Sequence, residues 1–239
     1  MRRIELLSIV LVVLIAATTA YYVVPSLSGK PSTSACSGGP YNTRTTFVSY
    51  DELGKALYNL TYTQNGTLEN GLYYSSTSGA ISWIRSNAPA NAVFLNWWDY
   101  GKEIIGCTGR SSVISNPSAQ LIALGFTKNV TERDSNQSLA DVGTALFTTN
   151  SSLSHAIVSK YGASYILIET EDGGDKAPYI LQLLGLNPTD YVTPSGASFN
   201  PADWTSLGRQ TVIYRLLTGE AVVGFTQVYS DSYVKIFQV

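Results

Sequence analysis

The sequence predicts an α/β fold with a mostly parallel central sheet flanked by helices, a C-terminal antiparallel β piece and one N-terminal transmembrane helix. Three observations predict it. Helical periods alternate with short strands, an unbroken apolar run at 92–95 and the clearest strand at 163–168, the pattern of a sheet buried on both faces. The tail reads as strands over 211–217, 222–229 and 232–239 joined by tight turns. At the other end, Arg2 and Arg3 precede the uncharged run 6–24, close to the ~20 residues that span a hydrocarbon core.

Taken in order, residues 1–25 form a membrane anchor or signal segment. The anchor is favoured over a cleaved signal peptide because the apolar run continues through Tyr21, Tyr22, Val23 and Val24 without a break. Residues 26–45, rich in Ser, Pro and Gly, read as a spacer, and 46–239 as an extracytoplasmic domain. Ser49-Tyr50-Asp51-Glu52 has capping-box spacing, and Leu53, Ala56, Leu57 and Leu60 follow at helical intervals, predicting a short amphipathic helix. A second helix is expected over 77–87, stopped by Pro89, and leads into the strand 92–95. Lys102 opens the next helix, 112–115 resembles a strand, and Pro117 opens a helix to Leu124. Further helices are expected over 139–147 and 153–160, the latter capped by Gly162, before the strand 163–168.

The net charge of -2 and the 13% of charged residues exclude the broad positive footprint of a nucleic-acid binder. The neutral polar surface they leave suits an extracytoplasmic protein. Five glycosylation sequons, at Asn59, Asn65, Asn129, Asn136 and Asn150, agree and mark surface loops. Cys36 and Cys107 are the two cysteines: in an oxidising compartment they form a disulfide worth about 4 kcal/mol by chain entropy, and otherwise two buried thiols.

Reactive constellations are incomplete. His155 is the only histidine and has no spacing partner, and neither a nucleophile elbow nor a zinc cluster is present. Glu132 and Asp134 read as a solvated pair. Asp172 and Asp175 suit either a hard cation or a plain glycine-rich turn, so no cofactor is assigned while a metal stays open. The stretch that stands out is Trp97-Trp98-Asp99-Tyr100-Gly101, just past the strand 92–95. Its indole N–H donors, carboxylate and apolar faces suit a small group bearing a hydroxyl and a methyl, and equally suit core packing with a satisfied carboxylate. Open parallel sheets bind ligands outside the carboxyl ends of their strands, where this motif and the acidic loop 171–175 both fall.

Trp97 to Gly101 resembles the WWDYG signature of the catalytic subunit of oligosaccharyltransferases, which move a lipid-linked glycan onto asparagine in Asn-x-Ser/Thr. Agreement extends to Ala80-Ile81-Ser82-Trp83-Ile84-Arg85, Gly109-Arg110, Ser115-Asn116, Tyr165-Ile166-Leu167-Ile168 and the closing Val234 to Val239, and is greatest with the extracellular domain of archaeal members. The resemblance implies that Trp97, Trp98 and Asp99 bind the acceptor Ser/Thr hydroxyl. A second family motif, Asp-x-x-Lys-x-x-x-Ile, is matched at Lys176 and Ile180. Gly173 stands at its acidic position, and the acids fall at Asp172 and Asp175.

The family's catalytic carboxylates and metal lie in a many-span membrane part, and no Asp-x-Asp occurs here. The expectation is therefore a membrane-anchored domain that binds acceptor sequons as an accessory to protein N-glycosylation, with no catalytic residue of its own. Its partners would be acceptor polypeptides, a multi-span transferase and, through the N-terminal helix, the membrane. The alternatives are a structural cell-envelope glycoprotein that retains the fold and, third, a solitary transferase.

Overall fold

The computed structural model describes residues 36–51, 54–127 and 133–239, all within the compact unit Thr33–Val239. The stretch 1–25, read as an anchor, lies outside them. From Cys36, the chain read as spacer belongs to the folded unit: Cys36 is fully buried and disulfide-bonded to Cys107.

Two sheets form. β1 (Arg44–Tyr50), β2 (Ala56–Gln64) and β3 (Thr67–Tyr74) make an antiparallel sheet in that order. The helix expected from Asp51 to Leu60 is absent here. The same residues carry a second period, Ala56, Tyr58, Leu60 and Tyr62, and these alternate positions are the ones buried. Asp51 turns the chain between β1 and β2, accepting the Lys55 N–H at 2.7 Å, with Gly54 at φ 70°. β2 returns into β3 through Asn65-Gly66, both at positive φ, the two-residue turn whose twist suits a hairpin.

The chain then runs through α1 (Ser78–Asn87), β4 (Val93–Leu95), α2 (Trp98–Glu103), β5 (Ser111–Ser112), α3 (Ala119–Thr127), α4 (Gln137–Phe147), α5 (Ser151–Lys160), β6 (Tyr165–Glu169), α6 (Ala177–Leu183), α7 (Val212–Thr218), β7 (Thr226–Ser230) and β8 (Val234–Gln238). The second sheet has the order β5-β4-β6-β8-β7. Only β5 and β6 pair parallel to β4, whereas β8 runs antiparallel to both β6 and β7. The expected mostly parallel sheet is therefore corrected to a mixed one. The C-terminal strands are not an appended piece, because the apolar Val234, Ile236 and Phe237 bury against β6. The expected transmembrane helix falls in 1–25, outside the described residues; among the described residues no helix is long and apolar enough to cross a membrane.

One element reverses type. Residues 211–217, rich in β-branched side chains, form α7 because the Thr211 hydroxyl accepts the Tyr214 N–H at its start and Gly219, at φ 81°, closes its end. Around the central strand β4 the core is aromatic, with Phe94 stacked on Tyr165 at 5.0 Å and Ala80, Ile81 and Ile84 of α1 against it.

Candidate functional site

The motif does not sit in a strand-end loop. Trp97 is the last extended residue, and Trp98 begins α2, four residues earlier than the helix expected from Lys102. Asn96 fixes this exit: its side-chain amide donates to Trp97 O at 2.7 Å, and its carbonyl oxygen accepts from Ser112 at 2.8 Å. Asp99 thereby falls in the first helical turn, where the helix dipole favours a negative charge. Gly101 lets the helix cross the β5 exit, since a Cβ there would stand 2.2 Å from Ile114 O.

Lys176, just before α6, is the hub. Its Nζ lies 3.0 Å from Asp99 Oδ2, 3.1 Å from Glu171 Oε2 and 4.0 Å from Glu169 Oε2, donates to the Tyr100 hydroxyl, and stands 4.5 Å from the centroid of the Tyr100 ring. Tyr100 donates in turn to Glu169 at 2.7 Å or to Asp172 at 3.2 Å, and Ser76 donates to the other Glu169 oxygen at 2.9 Å. Glu169 and Asp172 form a reciprocal capping box that fixes the short turn after β6.

Burial pushes the Asp172 carboxyl up to about 8 and raises Glu169, in both cases against the pull of Lys176. Burial would lower Lys176, but Asp99, Asp172, Glu169 and Glu171 override it and hold the ammonium well above its ordinary value. Glu103, fully buried, is pushed well above the carboxylate range by burial despite accepting the Tyr74 N–H at 3.1 Å.

A small cleft of about 130 Å³ opens beside the motif. Trp98, Asp99 and Lys102 of α2 line one side, Asn70, Gly71, Leu72 and Tyr74 of β3 the other, and Ser115 to Pro117 close it. Asp99 is divided: Oδ2 is held by Lys176, while the buried Oδ1 has no hydrogen-bond partner. An acceptor without a donor is costly in a folded protein, and a hydroxyl is one group that would satisfy it.

The structure thus brings together Trp98, Asp99 and Lys176, with Trp97 buried just behind at 3% exposure. Ile180 is not at the cleft. It is fully buried on α6, facing α4, where a Cβ on Gly143 would stand 3.2 Å from it. Asp172 belongs to the buried network and Asp175 is exposed, and among the described residues no group of three or more His, Cys, Asp or Glu side chains could hold a metal ion. The sequon residues Asn59, Asn65, Asn136 and Asn150 are exposed, Asn136 and Asn150 also capping α4 and α5, whereas Asn129 lies outside the described residues. Asp134 corrects the solvated pair: it is 5% exposed and accepts from Ser118. Sequence reasoning missed Ser76, Glu103 and Glu169; Tyr100 and Glu171 fell inside the motif and the acidic loop it singled out but were given no role. The legible signal was an acid, Glu169, ending a strand buried along its whole length.

No family model matches the chain. It is 23% identical over 228 residues to subunit stt3 of the dolichyl-diphosphooligosaccharide–protein glycosyltransferase of Schizosaccharomyces pombe, a match covering 90% of this chain and 26% of that protein. The Caenorhabditis elegans subunit is 28% identical over 89 residues, 37% of this chain and 10% of that one. Among solved structures, the C-terminal globular domain of an oligosaccharyltransferase from Archaeoglobus fulgidus aligns with 69% of this chain and 97% of its own, at 18% identity and a TM-score of 0.49. An A. fulgidus oligosaccharyltransferase tethered to an acceptor peptide containing the NVT sequon aligns with 66% of this chain and 24% of its own, at 15% identity and a TM-score of 0.47. The chain therefore spans about a quarter of the S. pombe relative, and over nine tenths of its own length it is similar to that oligosaccharyltransferase subunit.

Proposed function

We propose that this chain binds polypeptides carrying Asn-x-Ser/Thr and serves protein N-glycosylation by holding the acceptor, acting beside a transferase. The observation that carries the reading is the divided carboxylate of Asp99, with Oδ2 locked by Lys176 and the buried Oδ1 left unpartnered, on a residue that lines a cleft together with Trp98. A Ser or Thr hydroxyl donating to Oδ1 would complete it, and Trp98 offers an apolar wall for a Thr methyl. Similarity to an oligosaccharyltransferase subunit supports the choice of ligand. An extracytoplasmic setting is part of the proposal, supported by the Cys36–Cys107 disulfide and the exposed sequon asparagines.

Calorimetric titration of the full chain with Asn-Val-Thr and Asn-Val-Ala peptides tests it. One charge-assisted hydrogen bond is worth roughly 1.5–3 kcal/mol, so the Thr peptide is expected to bind at least about tenfold more tightly. Equal affinities would overturn the reading.

A further inference from the structure

We infer that the acceptor polypeptide binds in extended form as an added strand on the outer edge of β3; this rests on the sequon-binding reading above. Among the described residues β3 pairs with β2 alone, so its other edge is open. Two independent observations say which backbone groups point outward. The Asn65-Gly66 turn makes Gln64 and Thr67 the closing pair of a two-residue hairpin, a pair that exchanges hydrogen bonds, so Thr67, Glu69, Gly71 and Tyr73 turn their N–H and C=O toward β2. At the far end, Tyr74 sends its N–H away from β2, to Glu103 at 3.1 Å, and its carbonyl accepts from Thr77 at 2.7 Å. Both place the N–H and C=O of Leu68, Asn70 and Leu72 on the open edge.

Asn70 and Leu72 are exposed, and they line the same cleft as Trp98 and Asp99. A strand laid along them would pair its own alternate backbone groups with theirs while a side chain reaches the Asp99 side. This mode suits an acceptor defined at only two of its residues, because main-chain hydrogen bonds hold any sequence and leave selection to the pocket. The cleft also suits a neutral peptide, since Lys176 is paired with Asp99 and Lys102 with Glu69.

The test is a backbone N-methyl scan of a synthetic peptide centred on Asn-Val-Thr, titrated into the full chain. Methylation at every second residue should weaken binding about tenfold, the loss of one hydrogen bond plus a steric block, and methylation between them should change it less than about twofold. In a second arm, Leu72→Pro removes one outward N–H while leaving the β2 ladder its bonds, a substitution edge strands accept. It should lower affinity for both Asn-Val-Thr and Asn-Val-Ala while the ratio between them stays unchanged. A flat scan with the Thr preference intact would overturn strand addition and leave the hydroxyl reading standing. A period-two scan with equal Thr and Ala affinities would do the reverse, and no binding of either peptide would overturn both.

Discussion

On one wall of the cleft, α2 and the turn after β6 hold their side chains through a buried network in which Lys176 faces Asp99, Glu169 and Glu171 and reaches Asp172 through Tyr100. On the other, β3 is held by a hairpin, by the Glu103 carboxylate at its end and by Lys102 paired with Glu69, and it keeps a row of backbone groups outward. The first wall can select a side chain, because its charges are fixed in low dielectric. The second can hold a chain without selecting it. Recognition of a two-residue signal in an otherwise arbitrary polypeptide asks for both.

The largest way to break this contrast is to remove the hub. Lys176→Ala leaves the buried carboxylates uncompensated and should cost about 3–5 kcal/mol in denaturant unfolding, against less than about 1 kcal/mol for an ordinary surface lysine. Next comes the staple between the walls. Cys36 precedes β1 and Cys107 follows α2, so the Cys36→Ser, Cys107→Ser double variant should lose about 2–4 kcal/mol, measured as thermal stability with and without reductant.

A smaller effect is expected where the walls touch. A Cβ on Gly71 would stand 2.6 Å from the Lys102 Cβ, so Gly71→Ala should force β3 off α2 at a cost of about 1–3 kcal/mol, and peptide affinity should fall with it.

The most gradual effect is a slope with pH, spread over several units and not seen as a step. Asp172 titrates near 8 when folded against an ordinary carboxylate value when unfolded, and Glu169 and Glu103 are raised in the same sense. Between those limits the folded state carries the extra proton, so stability falls as pH rises from about 5 to 8, by up to about 1.4 kcal/mol per pH unit for each carboxyl that stays protonated. Asp141, lowered by Lys160, Tyr161 and Gln137 against its burial, acts oppositely, and its contribution is lost only as pH falls through the low carboxylate range. Unfolding curves from pH 5 to 8 check the sign, and rising stability across that range would place the charge network wrongly.

The two walls were not equally legible in the sequence. The strand–helix wall was readable because β4 is an unbroken apolar run, β6 is apolar up to its final Glu169, and the motif follows the first of them. The helix start at Trp98 was missed because no Ser, Thr, Asp or Asn side chain caps it; Trp97 ends the strand and Asn96 fixes the exit from one residue further back. The hairpin wall was misread because Leu53, Ala56, Leu57 and Leu60 satisfy a helical period while Ala56, Tyr58, Leu60 and Tyr62 in the same stretch satisfy a strand period. Asn65-Gly66, the turn signal that settles the matter, also reads as part of a sequon. The second half of the sheet order depended on β8 returning beside β6, a long-range pairing that no local pattern encodes. The Lys176 network is of the same kind: Ser76, Asp99 and Tyr100 lie far in sequence from the stretch 169–176, and only the fold makes them its neighbours.

The account turns on whether Asp99 and an acceptor hydroxyl meet, and a thermodynamic cycle measures that directly. Asn-Val-Thr and Asn-Val-Ala peptides are titrated into the native chain and into Asp99→Ala. The account predicts a Thr preference of about tenfold or more in the native chain that collapses to near unity in the variant, a coupling of roughly 1.4 kcal/mol or above. A preference of the same size in both proteins would contradict it.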